Sequence, residues 1–269
     1  MDIAESFFRW AHVVAGILWI GLLYFFNWVN SQFAPLLKEL DADAKKKVLP
    51  ELLPRALYWF RWGAAWTWVT GFVLLGIVFW HSKEVLATDA KTWHPGAVIM
   101  IVFTFLAVFL YDLLYKTVLK SPAAGFWGGL ALTAVAVYLY VYVGNFSFRG
   151  YTIHLGALFG TNMAFNVWYR IWPAQKRIIR AIKNGEAPDP ALAALAGTRS
   201  KHNTYMSVPL VFAMLNAHMT WAAGLPGTTK ATAPLILVFI VFVGWSITWM
   251  LYKRSAKIKQ GHPSFLPEA

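Results

Sequence analysis

The stretch GAVIMIVFTFLAVFLYDLLY, residues Gly96–Tyr115, decides the fold class, because it is long and almost entirely apolar. An α-helix of about 20 apolar residues crosses the hydrocarbon core of a bilayer, which is about 30 Å thick. Six further runs share this character. They are Ser6–Val29, Leu57–Trp80, Ala123–Val143, Tyr151–Trp172, Thr204–Ala222 and Ala233–Tyr252. We therefore predict an all-α membrane protein, one domain over residues 1–269 with about seven transmembrane helices in the lipid bilayer.

The composition points to the same class of protein. Hydrophobic residues make up 58% of the chain and charged residues 13%, whereas soluble domains are about 45–50% apolar and about 25% charged. The formal net charge is +12, but the basic residues lie in loops between the apolar runs, which argues against nucleic-acid binding. The absence of cysteine excludes disulfides, thiolate metal sites and covalent attachment of c-type haem.

Two connections between the apolar runs are long. Gln32–Pro54 contains a predicted short helix, Asp41–Leu53, and Pro173–Asn203 contains a basic continuation of the fifth span and a short Ala-rich helix near Ala191–Ala196. If these two connections lie on the inner side of the membrane, 18 of the 24 Lys and Arg residues of the chain lie on that side. Because basic residues favour the cytoplasmic side, the sequence predicts an N-terminus outside and a C-terminus inside.

Three histidines lie in the outer part of three different predicted spans: His12, His154 and His218. Ionisable groups inside a span are costly and tend to mark function. Imidazoles that face each other across a bundle can ligate haem iron, or bind copper or zinc. We favour b-type haem as the cofactor, with copper second, and expect no other metal site. The alternative is an interfacial histidine satisfied by water, which we prefer for His81 and His94.

Gly16 lies about one turn below His12 in the first predicted span. A glycine at this position leaves room for a flat ring beside the histidine. It is equally typical of a close contact between two helices, in which a small residue lets the backbones approach. The sequence leaves both interpretations open.

A second group of polar residues lies near the inner ends of the fifth and sixth spans. Buried amides are unfavourable unless they are hydrogen-bonded, so such residues indicate either a polar pocket or polar contacts between helices. A pocket of this kind suits a flat, polar, anionic heterocycle. Its predicted members are Asn162, Asn166, Lys201, His202, Asn203 and Tyr205.

Three blocks of the sequence resemble a known family. They are HLGALFGTNMAFNVWYRIWPAQK (His154–Lys176), RSKHNTYMSVP (Arg199–Pro209) and, less specifically, RWAHVVAGILWIG (Arg9–Gly21). They are similar to the membrane domain of the bacterial membrane-bound urate oxidase (urate hydroxylase) family. The resemblance covers nearly the whole chain and implies oxidation of urate to 5-hydroxyisourate in purine degradation.

Typical members of that family carry a cytochrome c domain after the membrane part. This chain ends at Ala269 and contains no Cys-x-x-Cys-His motif, so we expect either a membrane portion of a longer protein or a stand-alone form. In the predicted reaction, urate binds at the inner polar group, where Lys201 or His202 favours the anion and His202 takes a proton. Electrons then pass to the haem and on to a periplasmic or membrane-bound cytochrome c. The sequence leaves open the alternative that urate binds beside the haem on the outer side.

Two other classes of function stay open from the sequence. One is a haem-bearing electron-transfer subunit without its own substrate site. The other is a transporter for a metal or a purine. Transporters are typically built from repeats with paired broken helices. Pro209 is the only proline well inside a predicted span, which makes transport the weaker alternative.

Overall fold

The computed structural model describes residues 2–31, 41–83, 85–86, 92–216, 227 and 229–258. Within these ranges the regular secondary structure is helical, and an isolated bridge joins Leu86 to Phe146. The α-helices are α1 (Asp2–Tyr24), α2 (Ala42–Leu74), α3 (Pro95–Thr117), α4 (Pro122–Tyr142), α5 (Phe148–Phe165), α6 (Trp172–Asn184), α7 (Pro190–Asn216) and α8 (Ala233–Ser255). Three of them continue into a π-helical turn, at Phe25–Asn30, Leu75–Trp80 and Asn166–Ile171.

Five helices are long and apolar enough to cross a membrane. Each coincides with a predicted span, and together they make the chain a multi-pass membrane protein. They are Asp2–Asn30, Asp43–Trp80, Pro95–Thr117, Pro122–Tyr142 and Ala233–Ser255.

The other two predicted spans coincide with more polar helices. Tyr151–Trp172 corresponds to α5 with its π-helical turn, and Thr204–Ala222 to the second half of α7, up to the last described residue, Asn216. Most side chains of α5 are buried, because α2, α3 and α7 pack around it. A helix shielded from lipid by its neighbours can carry polar side chains that a lipid-facing helix cannot.

Two predicted helix boundaries are wrong. The short helix predicted at Asp41–Leu53 is the first part of α2, which continues through Pro50 and Pro54. The Ala-rich helix predicted near Ala191–Ala196 is likewise continuous with the sixth predicted span, as α7. A proline removes one backbone hydrogen bond and usually breaks a helix, but α2 packs along α1 and α6, and this tertiary packing keeps it continuous.

Polar side chains fix the starts of several helices. Ser121 and Ser147 each accept a hydrogen bond from a backbone N–H in the first turn, of Ala124 at 3.1 Å and of Gly150 at 3.0 Å. The Nδ1 atom of His94 accepts from the Ala97 N–H at 3.3 Å in the same way. Such caps satisfy N–H groups that have no partner within the helix. His94 is therefore a capping residue at a loop junction.

Candidate functional site

Two of the amides predicted for the inner polar group, those of Asn166 and Asn203, are hydrogen-bonded to each other. The Asn166 side-chain amide donates to Asn203 Oδ1 at 2.8 Å, and the Asn203 amide donates to the Met163 carbonyl at 3.0 Å. Both asparagines are fully buried. Asn166 begins the π-helical turn after α5, and π-helical turns are frequent at functional sites. The structure thus joins α5 to α7 through the two predicted blocks.

Two side-chain oxygens of the predicted amides, one on Asn162 and one on Asn166, have no hydrogen-bond partner among the described residues. Asn162 Oδ1 and Asn166 Oδ1 are buried, and neither has a hydrogen-bond partner among the described residues. They belong to residues four positions apart, so both lie on one face of α5 and its π-helical turn. Because most buried polar atoms in proteins are hydrogen-bonded, two neighbouring acceptors without a partner favour a donor from a ligand or water at this position.

His202 is connected to the amides through a tyrosine. Its Nδ1 lies 2.9 Å from Tyr111 Oη, which also accepts a hydrogen bond from the Asn166 amide at 2.8 Å. The imidazole ring packs against Tyr115, with 4.5 Å between ring centroids. Sequence reasoning did not identify Tyr111, although it is the residue of α3 that links the imidazole to the amides.

Asp112, next to Tyr111 in the chain, is the centre of an ion cluster. Its Oδ1 accepts from Arg199 Nη2 and Arg170 Nε, both at 2.9 Å, and its Oδ2 accepts from Lys116 at 2.7 Å and from Arg170. Sequence reasoning missed this cluster. The available signal was that Asp112 is the only carboxylate within the seven predicted spans, and such residues are rarely there without a partner.

Two of the predicted residues lie on another face of α7. Lys201 is exposed, and its Nζ lies 5.9 Å from the ring centroid of Tyr252 in α8. Tyr205 stacks on the same ring at 6.1 Å. Tyr252 in turn donates to Asn27 Oδ1 at 2.7 Å. The structure therefore groups His202 with the buried amides and places Lys201 and Tyr205 against α8.

His12 has the arrangement of a metal-ligating histidine. Its Nδ1 lies 2.9 Å from the Thr67 carbonyl and 3.1 Å from Thr70 Oγ1. A carbonyl can only accept, so Nδ1 carries the proton, and the neutral ring keeps its lone pair on Nε2. Histidines that bind metals commonly donate their other N–H to a carbonyl in this way.

Gly16, the glycine near His12, serves the contact between helices. A Cβ atom at Gly16 would lie 3.8 Å from the Thr67 side chain, which is ordinary contact between α1 and α2. Beside this contact, a groove of about 460 Å³ runs between the two helices and includes Thr70, the partner of His12. Its aromatic walls include Trp10, Trp59, Trp62 and Trp66.

His154 is completely buried and both of its ring nitrogens are engaged. Nδ1 donates to the Gly150 carbonyl at 2.8 Å, and Nε2 accepts from the Trp80 indole N–H at 3.2 Å. Metal ligation by Nε2 would therefore require the Trp80 indole to move. The third predicted ligand, His218, lies outside the described residues.

The described part of the chain holds no group of three or more His, Asp or Glu side chains that could bind a metal ion. Copper, the second choice from the sequence, therefore finds no ready three-ligand set there. A haem needs only one or two axial ligands from the protein, so His12 stays a candidate for one of them.

Comparisons with known proteins agree with the resemblance in the sequence. Searches of curated proteins and of solved structures gave no significant match. A protein-family model, described as urate oxidase N-terminal, matches residues 1–266 and so includes all the residues of the site. The chain therefore belongs to the urate oxidase N-terminal family.

Proposed function

We propose that this protein oxidises urate to 5-hydroxyisourate in purine degradation and passes the electrons through a bound haem b to a cytochrome c. Membership of the family supports the class of reaction. The observation that carries the substrate site is the pair of buried, unpartnered oxygens of Asn162 and Asn166. Urate is a flat heterocycle with ring N–H donors, which are the groups that two amide oxygens would bind.

The polar network supports a route for one proton. Tyr111 Oη accepts from Asn166, so its own proton is free to point towards His202 Nδ1. Oxidation of urate to 5-hydroxyisourate releases two electrons and two protons, and a water molecule supplies the new hydroxyl oxygen. In this proposal Tyr111 passes its hydroxyl proton to His202 Nδ1 and takes up one proton from the bound urate or from that water, so His202 is the general base and Tyr111 relays the proton to it.

A bound haem would supply one-electron redox chemistry, and His12 is the best placed of the described candidates to hold it. The Nδ1–H bond to Thr67 leaves Nε2 with its lone pair. The nearby aromatic groove between α1 and α2, which is lined by Thr70 and not by His12 itself, offers an apolar surface for a flat ring. His154 and His218 are the other proposed ligands. His154 would serve only after release from Trp80.

We further propose that α5 and α7 also cross the membrane, which gives seven spans with the N-terminus outside and the C-terminus inside a bacterial inner membrane. The exposed basic residues of α6, such as Lys176 and Arg180, support a cytoplasmic position for that helix. Urate would then bind from the cytoplasm, and a periplasmic or membrane-bound cytochrome c would accept the electrons.

The substitution Asn162→Leu tests the substrate site. It removes an unsatisfied oxygen and keeps a similar volume, so we expect unchanged or slightly higher thermal stability. If Oδ1 binds urate, we expect kcat/KM for urate, measured with an artificial electron acceptor, to fall by roughly 5- to 150-fold, as for loss of a bond worth about 1–3 kcal/mol.

Thr152→Val is the matched control for that experiment. Thr152 Oγ1 is also buried and has no partner within the described residues, and it lies in the same helix away from the polar group. We expect this variant to oxidise urate at the wild-type rate. Equal losses in both variants would argue against a substrate contact at Asn162, and a wild-type protein that turns over no urate would contradict the proposed reaction.

The substitution His12→Ala tests the haem ligand. We expect it to weaken haem binding at least tenfold, or about 1.4 kcal/mol, as measured by the Soret absorbance during titration with haem. His81→Ala is the control, because His81 is an exposed histidine at a helix end. A Soret band of normal intensity in His12→Ala would exclude His12 as a required ligand, and its absence from the wild type would contradict the haem proposal.

A further inference from the structure

The guanidinium of Arg199 is buried, and one of its two Nη atoms has no hydrogen-bond partner among the described residues. Its side chain is 3% exposed, and Nη2 donates to Asp112 Oδ1 at 2.9 Å. Nη1 is also buried but has no hydrogen-bond partner in the part of the chain that the structure describes. A buried donor on a charged group is unfavourable unless something accepts its hydrogen bond.

Asp112 does not balance the charge around it. The single carboxylate pairs with Arg199, Arg170 and Lys116, so three cations share one anion among the described residues. Arg170 and Lys116 are partly exposed and can be solvated, whereas Arg199 cannot. The buried guanidinium therefore keeps an excess of positive charge, which an anion at Nη1 would compensate.

Arg199 is also next to the proposed substrate site. Its guanidinium carbon lies 5.3 Å from the ring centroid of Tyr111, and the hydroxyl of the same tyrosine bonds to Asn166 and His202. Arg199 and Asn166 therefore contact the same tyrosine, and each carries a buried polar atom without a partner in the described structure. A ligand that meets both would combine an anionic oxygen for Nη1 with an N–H donor for Asn166 Oδ1.

We propose that Arg199 is the anion-binding residue of this site and contacts an oxygen of a planar, anionic N-heterocycle whose N–H groups bind Asn162 and Asn166. The identity of that heterocycle as urate rests on the proposed function. The planar, permanently charged guanidinium suits this role better than Lys201, which is exposed against Tyr252. Asp112 is a positioning residue, because it holds Nη2 and leaves Nη1 directed elsewhere.

Binding measurements on the full-length protein in lipid nanodiscs test this inference. We expect Arg199→Gln to weaken binding of urate, an anion at neutral pH, at least tenfold, and binding of xanthine, largely neutral at the same pH, less than threefold. Lys201→Gln is the matched control, and we expect it to change neither dissociation constant more than threefold. Asp112 keeps two cationic partners in Arg199→Gln, so the fold should persist.

Equal weakening of urate and xanthine, or none, in Arg199→Gln would overturn the role of Arg199. If that variant does not fold, Arg199→Lys replaces it. This variant should keep the preference for urate over xanthine but bind urate at least threefold more weakly, and unchanged binding would contradict the proposal. If wild-type protein binds no urate, the proposed substrate is wrong, and benzoate then probes the anion site. Wild-type protein should bind benzoate at least tenfold more tightly than Arg199→Gln, and equal binding would overturn the inference.

Discussion

Asp112→Asn is expected to lower the free energy of unfolding by about 3–5 kcal/mol, the range measured when one member of a buried ion pair is removed. The substitution keeps the shape of the side chain but removes the only negative charge that Arg199, Arg170 and Lys116 share in the described structure. Three cations would then repel one another at the junction of α3, α7 and the π-helical turn after α5. Arg199 would be affected most, because it has no access to solvent.

Unfolding in mixed micelles, titrated with SDS and followed by the helical circular dichroism signal, measures this loss. Glu51→Gln is the control, because it also removes the carboxylate of an ion pair, with Arg55 at 3.2 Å. Both side chains of that pair are about three-quarters exposed, at 75% and 76%. Exposed pairs contribute about 0–1 kcal/mol, so we expect little change. Similar losses in the two variants would show that the Asp112 cluster is not a buried electrostatic centre.

Gly150→Ala is the second substitution with a large expected effect. A Cβ atom at Gly150 would lie 2.1 Å from the backbone oxygen of Val85, which is far inside van der Waals contact. That oxygen cannot easily move, because it accepts a hydrogen bond from the Ser147 N–H at 2.9 Å. Overpacking costs typically about 1–3 kcal/mol and occasionally more. Since the obstacle is backbone, we expect a loss of at least about 3 kcal/mol.

The same substitution should disturb His154, since the Gly150 carbonyl accepts the hydrogen bond from its Nδ1. Gly197→Ala is the matched control in α7, where an added Cβ would meet no described atom within 4 Å. Alanine favours a helix over glycine by about 1 kcal/mol, so the control should be stabilised slightly. Thermal unfolding of both variants by circular dichroism gives the comparison, and a Gly150→Ala protein as stable as wild type would contradict the close approach to Val85.

The transmembrane helices follow from the sequence because their signal is local. An apolar run as long as Gly96–Tyr115 is typical of a membrane-spanning helix, so its length and hydropathy are enough to predict that helix. The structure confirms five helices that are long and apolar enough to cross a membrane, four of them with boundaries within a few residues of the prediction. The same argument fails at Pro50, because packing of α2 against its neighbours outweighs the local tendency of proline to end a helix.

The sequence identified only some of the residues that form the inner polar group in the structure. Asn162, Asn166 and Asn203 were recognisable because amides inside spans are unusual, and the structure brings Asn166 and Asn203 within 2.8 Å. Lys201 and His202 are adjacent in the chain and were therefore predicted together. Consecutive residues of a helix point about 100° apart, so the two side chains face different helices.

The sequence by itself determined that this chain is helical, lies in a membrane and belongs to its family, because hydropathy and motifs are properties of short segments. Only the tertiary structure decided that Tyr111 joins His202 to Asn166, that Asp112 gathers three cations, and that His154 is held by Trp80. Except for Lys116, which follows Asp112 by four residues, these contacts join residues between 55 and 91 positions apart, as for Tyr111 with Asn166 (55) and with His202 (91). Such separations carry no local signal, since they depend on which faces the helices present after packing.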